Sequence, residues 1–275
     1  MKFVPRFLTD GRAVALSGYV HRVNGRVIRQ NLATPSAAAA LGGSFESKQG
    51  RYSFPDDANG DAVVSLRSSS LNTWHDREDQ DDSGQHPTHT VHAKSSIEQL
   101  SVGNRFFVDR ASAYLRTVYR EGDVQPAITP VEADLDGLVI DGVRFTVTLD
   151  TAPLSTFATC NDFHHAAMHD SRFKETHGER VLSLRDPSAS GPSGKGCFVC
   201  SVVERIEWEG ALPQGAEVDE DSHVIVWPDF GTVILGEVLI ADFSRRLTMV
   251  RLELGSPIVA SIAAADVQSG GQGLP

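Results

Sequence analysis

Hydrophobic and polar positions alternate with a period of two along much of this chain. The densest example is His223–Pro257 (HVIVWPDFGTVILGEVLIADFSRRLTMVRLELGSP), where apolar, often β-branched stretches are separated by short turn clusters. Upstream, Val143, Phe145, Val147 and Leu149 are spaced by Arg144, Thr146, Thr148 and Asp150. This alternation marks strands with one buried face. Within Leu247–Leu254 it predicts Val250, Leu252 and Leu254 inside and Arg251 and Glu253 outside. In Thr232–Ile240 both alternating sets are apolar except for Glu237, which predicts a strand covered on both sides.

Two dipeptides predict tight hairpin turns. Asn24-Gly25 follows the alternating Val14, Leu16 and Val20, and Asp141-Gly142 separates Leu138–Ile140 from Val143–Phe145. Both can place positive φ at the two turn centres, as a type I′ turn requires. The stretch 100–107 (LSVGNRFF) echoes 138–145 (LVIDGVRF), which shared hairpin chemistry explains without a duplication.

Between Ser155 and Phe173 the spacing changes. Phe157, Cys160, His164, Ala167 and Met168 recur at three and four, with Pro153 upstream and Ser155 or Thr156 as caps. That predicts a helix. The expected fold is therefore mainly β. It is an antiparallel sandwich or barrel-like arrangement of roughly a dozen strands with one inserted helix at about 153–173. A single β-rich domain over 1–267 is expected, divisible into β modules 1–150 and 174–267 joined by the helix. The tail 268–275 is expected to be mobile. Residues 30–50 leave helix, strand and loop open, 75–92 read as a solvated or disordered acidic loop, and 185–196 as a flexible Gly/Pro/Ser stretch.

With 275 residues and 40% hydrophobic content, the chain can bury a sizeable core. Its formal net charge of -11 argues against nucleic acid and anionic membrane as partners. No uncharged apolar run approaches the ~20 residues that span a bilayer. The opening MKFVPRFLTDGR is broken by Pro5 and Arg6, too early for a signal peptide. Cytoplasmic residence is the expectation, and three cysteines agree with it. Strands this apolar need their edges covered, and a homo-oligomer is one way to do so.

The densest candidate chemistry is CNDFHHAAMH. On a helix Cys160 and His164 lie one turn apart, as do His165 and His169, and two imidazoles at that spacing can share one Zn²⁺, Ni²⁺ or Cu²⁺ ion. The pairs point ~100° apart, so they form no single cage. Cys197 and Cys200, spaced C-x-x-C, could complete a Cys₃His site with Cys160 and His164. The plainer alternatives are a hydrogen-bonded core histidine at 164 and a small apolar strand residue at Cys200. Zinc or another divalent metal is thus the one cofactor the sequence suggests.

Other signatures fail. Asp79, Asp81, Ser83 and Gly84 open a calcium-loop pattern, but the twelfth position is Thr90 where a bidentate Glu is needed. GPSGKG at 191–196 lacks the hydroxyl residue and the glycine spacing of a phosphate loop. No G-x-S-x-G, H-E-x-x-H or strand-linked G-x-G-x-x-G occurs.

Three stretches, Ser95–Arg110 (SSIEQLSVGNRFFVDR), His223–Ile240 (HVIVWPDFGTVILGEVLI) and Arg245–Pro257 (RRLTMVRLELGSP), resemble a group of uncharacterised bacterial β-rich proteins. The resemblance implies a bacterial source and assigns no functional residue. Two readings of function follow. One is a non-enzymatic binding or structural protein, with the sheet and the segments 75–92 and 185–196 meeting a partner. The other is a metal-dependent enzyme built on the His/Cys cluster.

Overall fold

A computed structural model of the chain describes residues 7–23, 26–33, 36–40, 43–55, 62–78, 87–120, 123–173, 182–183, 197–219 and 223–273. The first strands are β1 (Phe7–Val23), β2 (Arg26–Ala33), β3 (Ser36–Ala40), β4 (Ser44–Gln49), β5 (Tyr52–Phe54), β6 (Val64–Leu66) and β7 (Ser68–Glu78). Next come β8 (Thr88–Val102), β9 (Phe106–Arg120), β10 (Ala127–Asp136), β11 (Leu138–Ile140) and β12 (Val143–Leu149). Helices α1 (Ala152–Thr156) and α2 (Cys160–His169) precede β13 (Leu182–Ser183), β14 (Phe198–Ser201), β15 (Val203–Trp208) and β16 (Glu217–Asp219). The chain closes with β17 (Val224–Trp227), β18 (Gly231–Ala241), β19 (Ser244–Leu254) and β20 (Ile258–Gly273).

These strands form two ten-stranded sheets. One runs β13-β14-β18-β19-β20-β1-β2, with β17 also on β18, β16 on β17 and β3 on β1. The other runs β15-β12-β11-β9-β8-β6-β5, with β10 on β9, β7 on β8 and β4 on β7. The fold is thus mainly β and antiparallel with a helical insert, as the alternation predicts. Among the described residues neither sheet closes into a barrel. Short strands such as β5, β13 and β16 raise the count among the described residues to twenty.

The sheets pack face to face, with β1 and β20 across β8 and β9. Ala13, Leu16, Ala93, Ile97, Ala113, Val250 and Ile262 are fully or almost fully buried between them. Two hydrogen bonds cross this core. Ser95 Oγ donates to the Val14 carbonyl at 3.0 Å, and Thr117 Oγ1 to Ser269 Oγ at 2.6 Å. They satisfy hydroxyls that would otherwise be stranded in an apolar interior.

A one-row change of pleat shapes the first sheet. In β18 the fully buried residues are Val233 and Leu235 before Gly236, then Val238 and Ile240 after it. In β19 the inward residues are Leu252 and Val250, then Leu247 and Arg245, with Met249 also buried at the switch row. In β20 they are Ile262 and Ala264, then Val267 and Ser269, with Ala265 buried at that row. Gly236 and Ala265 have positive φ, 60° and 49°. Because the neighbouring strands switch at the same row, pairing stays in register. Gly236 is favoured here by its φ, and a Cβ would sit 2.8 Å from Val202 Cγ2. The doubly apolar look of Thr232–Ile240 follows in part from this switch, since Val233, Leu235, Val238 and Ile240 all reach one interior.

The Asp141-Gly142 turn forms as expected, with φ of 48° and 84° and Ile140 opposite Val143. Asn24 and Gly25 lie outside the described residues, though Val23 pairs with Arg26 beside them. Two expectations are corrected. His75–Glu78 and Thr88–His92 are not loop: they are the ends of β7 and β8, paired in one antiparallel ladder. Gln268–Gly273 is not a loose tail: it continues β20 against β1, and Ser269 is fully buried. Of the alternatives left open at 30–50, the described residues there are mostly strand. Residues 79–86, with the calcium-like fragment, and 185–196 lie outside the described residues.

The helical insert bridges the sheets. Thr159 caps α2, its Oγ1 accepting from Asp162 N at 3.1 Å. Phe163 packs on Phe198 of β14, ring centroids 5.7 Å apart. The break between α1 and α2 is held from both sides. Ile128 N donates to Ala158 O at 2.8 Å from β10, and Arg245 of β19 reaches the carbonyls of Leu154 and Phe157. Among the described residues no helix is long and apolar enough to cross a membrane.

Candidate functional site

The His/Cys residues singled out by sequence gather only in part. Cys160 at the start of α2 and Cys200 on β14 are both buried, and both lie near enough to bear electrostatically on Arg245. Cys160 Sγ is 3.9 Å from Asp242 Oδ1. His164 sets its ring against Phe198, centroids 5.6 Å apart. His165 and His169 face each other on the exposed side of α2 at 5.0 Å. Cys197 is half-buried just before β14. Burial pushes the Cys200 thiol up to about 12 and raises that of Cys197. Among the described residues, no group of three or more His, Cys, Asp or Glu side chains is placed to hold a metal ion.

A different surface concentrates polar chemistry: the outer face of the second sheet. Its inner neighbours Leu71, Val91, Ala93, Ile97, Ala111, Ala113 and Leu115 are buried, so the alternate positions must face out. Register sets these in four rows. One is Ser44, Trp74, His92 and Arg116; the next is Glu46, Asn72, Lys94, Tyr114 and Glu132. A third is Lys48, Ser70, Ser96, Ser112 and Asp134; the last is Ser68, Glu98, Arg110 and Asp136.

The side chains in these rows are tied together. Trp74 stacks on His92 with ring centroids 4.3 Å apart and planes 6° from parallel, and Tyr114 leans on both. His92 Nε2 lies 3.2 Å from Asp76 Oδ2, and His92 Nδ1 lies 2.7 Å from the Tyr114 hydroxyl. Burial lowers the His92 pKa, against the opposing pull of Asp76. The neutral ring then donates to Asp76 and accepts from Tyr114. Burial also raises the Tyr114 pKa, so the group is a phenol at neutral pH. Lys94 Nζ donates to Glu132 Oε2 at 2.5 Å and Ser112 Oγ to Glu132 Oε1 at 2.9 Å. That lysine hydrogen bond is the main cause holding Glu132 below its ordinary value.

At the other end of the strip lies a cleft of about 270 Å³, lined by Lys48, Gln49, Ser68, Ser70, Ser96 and Glu98. Ser68 Oγ donates to Glu98 Oε2 at 2.7 Å. Gln49 Oε1 is buried beside it with no hydrogen-bond partner among the described residues. Such an orphaned acceptor is costly unless a donor arrives from outside.

Sequence reasoning missed this face. The signal was present in Val91, Ala93 and Ile97 against His92, Lys94 and Glu98, but polarity at 75–92 hid the alternation.

The molecule is thus an antiparallel β-sandwich carrying a polar, aromatic-ended strip on one sheet. Residues 7–241 match the model of a family described as Domain of unknown function (DUF8256), and the chain belongs to that family. No curated protein matches it.

Proposed function

We propose that this is a non-catalytic binding protein whose second sheet receives a neutral, hydroxyl-rich ligand of oligosaccharide type on its outer face. The observation that carries the reading is the Trp74–His92–Tyr114 stack bordered by rows of hydrogen-bonding side chains. Across β4 the neighbour of Trp74 is Ser44, too small to cover an indole, so among the described residues this strand leaves the far side of the ring to a ligand. The C–H face of a sugar suits an aromatic platform, and its hydroxyls need donors and acceptors placed together. Asp76, Glu98 and Glu132 accept, while Lys94 and the serines donate. From Trp74 to Ser68 the strip runs ~20 Å along the strand, room for several sugar units.

A phenol at Tyr114 and a neutral His92 suit hydrogen bonding better than nucleophilic attack. A metal-dependent enzyme built on Cys160, His164, His165, His169, Cys197 and Cys200 is the weaker reading, given the absence of a three-ligand group among the described residues. The proposal extends to cytoplasmic residence, supported by cysteines outside any disulfide, and to self-association through strand edges. The charge of -11 supports a partner other than nucleic acid or an anionic membrane.

The test is a panel of immobilised neutral glycans probed with the native chain and with Trp74→Ala. Saturable binding is expected to at least one glycan, weakened about tenfold or more in the variant while its circular dichroism is unchanged. A silent panel, or equal binding by the variant, contradicts the proposal.

A further inference from the structure

We infer that His75 and His89 form a chelating pair for a divalent transition metal, separate from the cluster around Cys160. Across the β7–β8 ladder His75 stands opposite Val91 and His89 opposite Arg77. The two imidazoles are therefore diagonal neighbours on the same face, within reach of each other. His75 Nε2 and His89 Nδ1 lie 3.3 Å apart, with ring centroids at 5.5 Å and planes at 31°.

At that separation one ring can donate a hydrogen bond to the other, the direction set by the tautomer. The separation also matches what two ligand nitrogens show when each stands ~2.05 Å from a tetrahedral ion, about 3.3 Å. The ladder thus holds two ligands at the spacing an ion demands. Both residues are half-buried, so a hydrated ion can reach them. His92 is no third ligand, because Asp76 and Tyr114 engage both its nitrogens. No other His, Cys, Asp or Glu among the described residues completes a three-ligand group, and the remaining positions are open to water or a further ligand. Two imidazoles with open positions favour Zn²⁺, Ni²⁺ or Cu²⁺ over Mg²⁺ or Ca²⁺, which require oxygen ligands.

The test is calorimetric titration of Zn²⁺ into the full, untagged chain at neutral pH. One ion per chain is expected. Affinity should fall at least about tenfold in His75→Gln and in His89→Gln, and stay unchanged in the His165→Gln, His169→Gln double variant. Saturable binding that survives the first two substitutions, binding that disappears with His165 and His169, or no saturable binding overturns the site. A second readout needs no variant. Substoichiometric paramagnetic Cu²⁺ should broaden the ring signals of His75 and His89 before any other histidine. First broadening at His165 and His169 would overturn the assignment.

Discussion

Arg245 donates to the Leu154 carbonyl at 2.8 Å and to the Phe157 carbonyl from a position only 2% exposed. Burial lowers its pKa to about 10, so the cation persists at neutral pH and its main hydrogen-bond partners among the described residues are the carbonyls at the end of α1. One inner-face residue of the first sheet thereby fixes the break between the two helices. Replacing Arg245 with Met keeps volume but leaves two buried carbonyls without a donor. A loss of about 2 kcal/mol is expected in urea unfolding. Hydrogen exchange should quicken first in Phe157–His169; uniform exchange with unchanged stability would contradict this role.

Gly236 tests the pleat switch. Gly236→Val brings a β-branched residue to φ 60° and a Cβ against Val202. Strain and overpacking together predict a loss of roughly 3 kcal/mol. A thermal midpoint equal to the native one would show that the switch is not fixed at this row.

Asp141 ties two turns together. Arg105 Nε donates to its Oδ1 at 2.8 Å, and Trp227 Nε1 to its Oδ2 at 2.7 Å. The hydrogen bond from Arg105 is the main cause of its lowered pKa, with burial opposing. A lowered folded-state value means that the stabilisation is complete above the ordinary aspartate range and fades as pH falls through the lowered value. Asp141→Ala should therefore be less stable than the native chain at neutral pH, and the gap should close in that acidic window. A gap independent of pH would place the effect in the turn backbone.

Cys200 is predicted to be inert. A thiol held at about 12 by burial has almost no thiolate at pH 8. Mass spectrometry after brief iodoacetamide treatment should find Cys200 unmodified in the native chain and modified in urea. Native labelling of Cys200 would contradict the packing of β14 on β18.

The strands and the Asp141-Gly142 turn were legible because alternation and turn chemistry are local. The inward face was not, wherever a pleat switch intervenes. Carried back from Leu254 through Leu252 and Val250, strict alternation places Arg246 inside and Arg245 outside. The switch at Met249 reverses this: Arg245 is buried, and Arg246 pairs outward with Asp266 at 2.7 Å. The helical spacing was readable, but its break at Phe157–Thr159 depends on Arg245, more than eighty residues away. The polar run at 75–92 concealed strands because Trp74, His92 and Tyr114 meet only across three of them. Pairing partners set that site, and composition carries no record of pairing.

The binding face is tested most directly by amide chemical-shift mapping of the native chain titrated with a neutral oligosaccharide that it retains. Shifts gathered in Ser68–Asp76, Thr90–Glu98 and Arg110–Arg116 are the predicted result. Shifts centred on Cys160–His169 and Cys197–Cys200, or spread over the first sheet, would contradict the account.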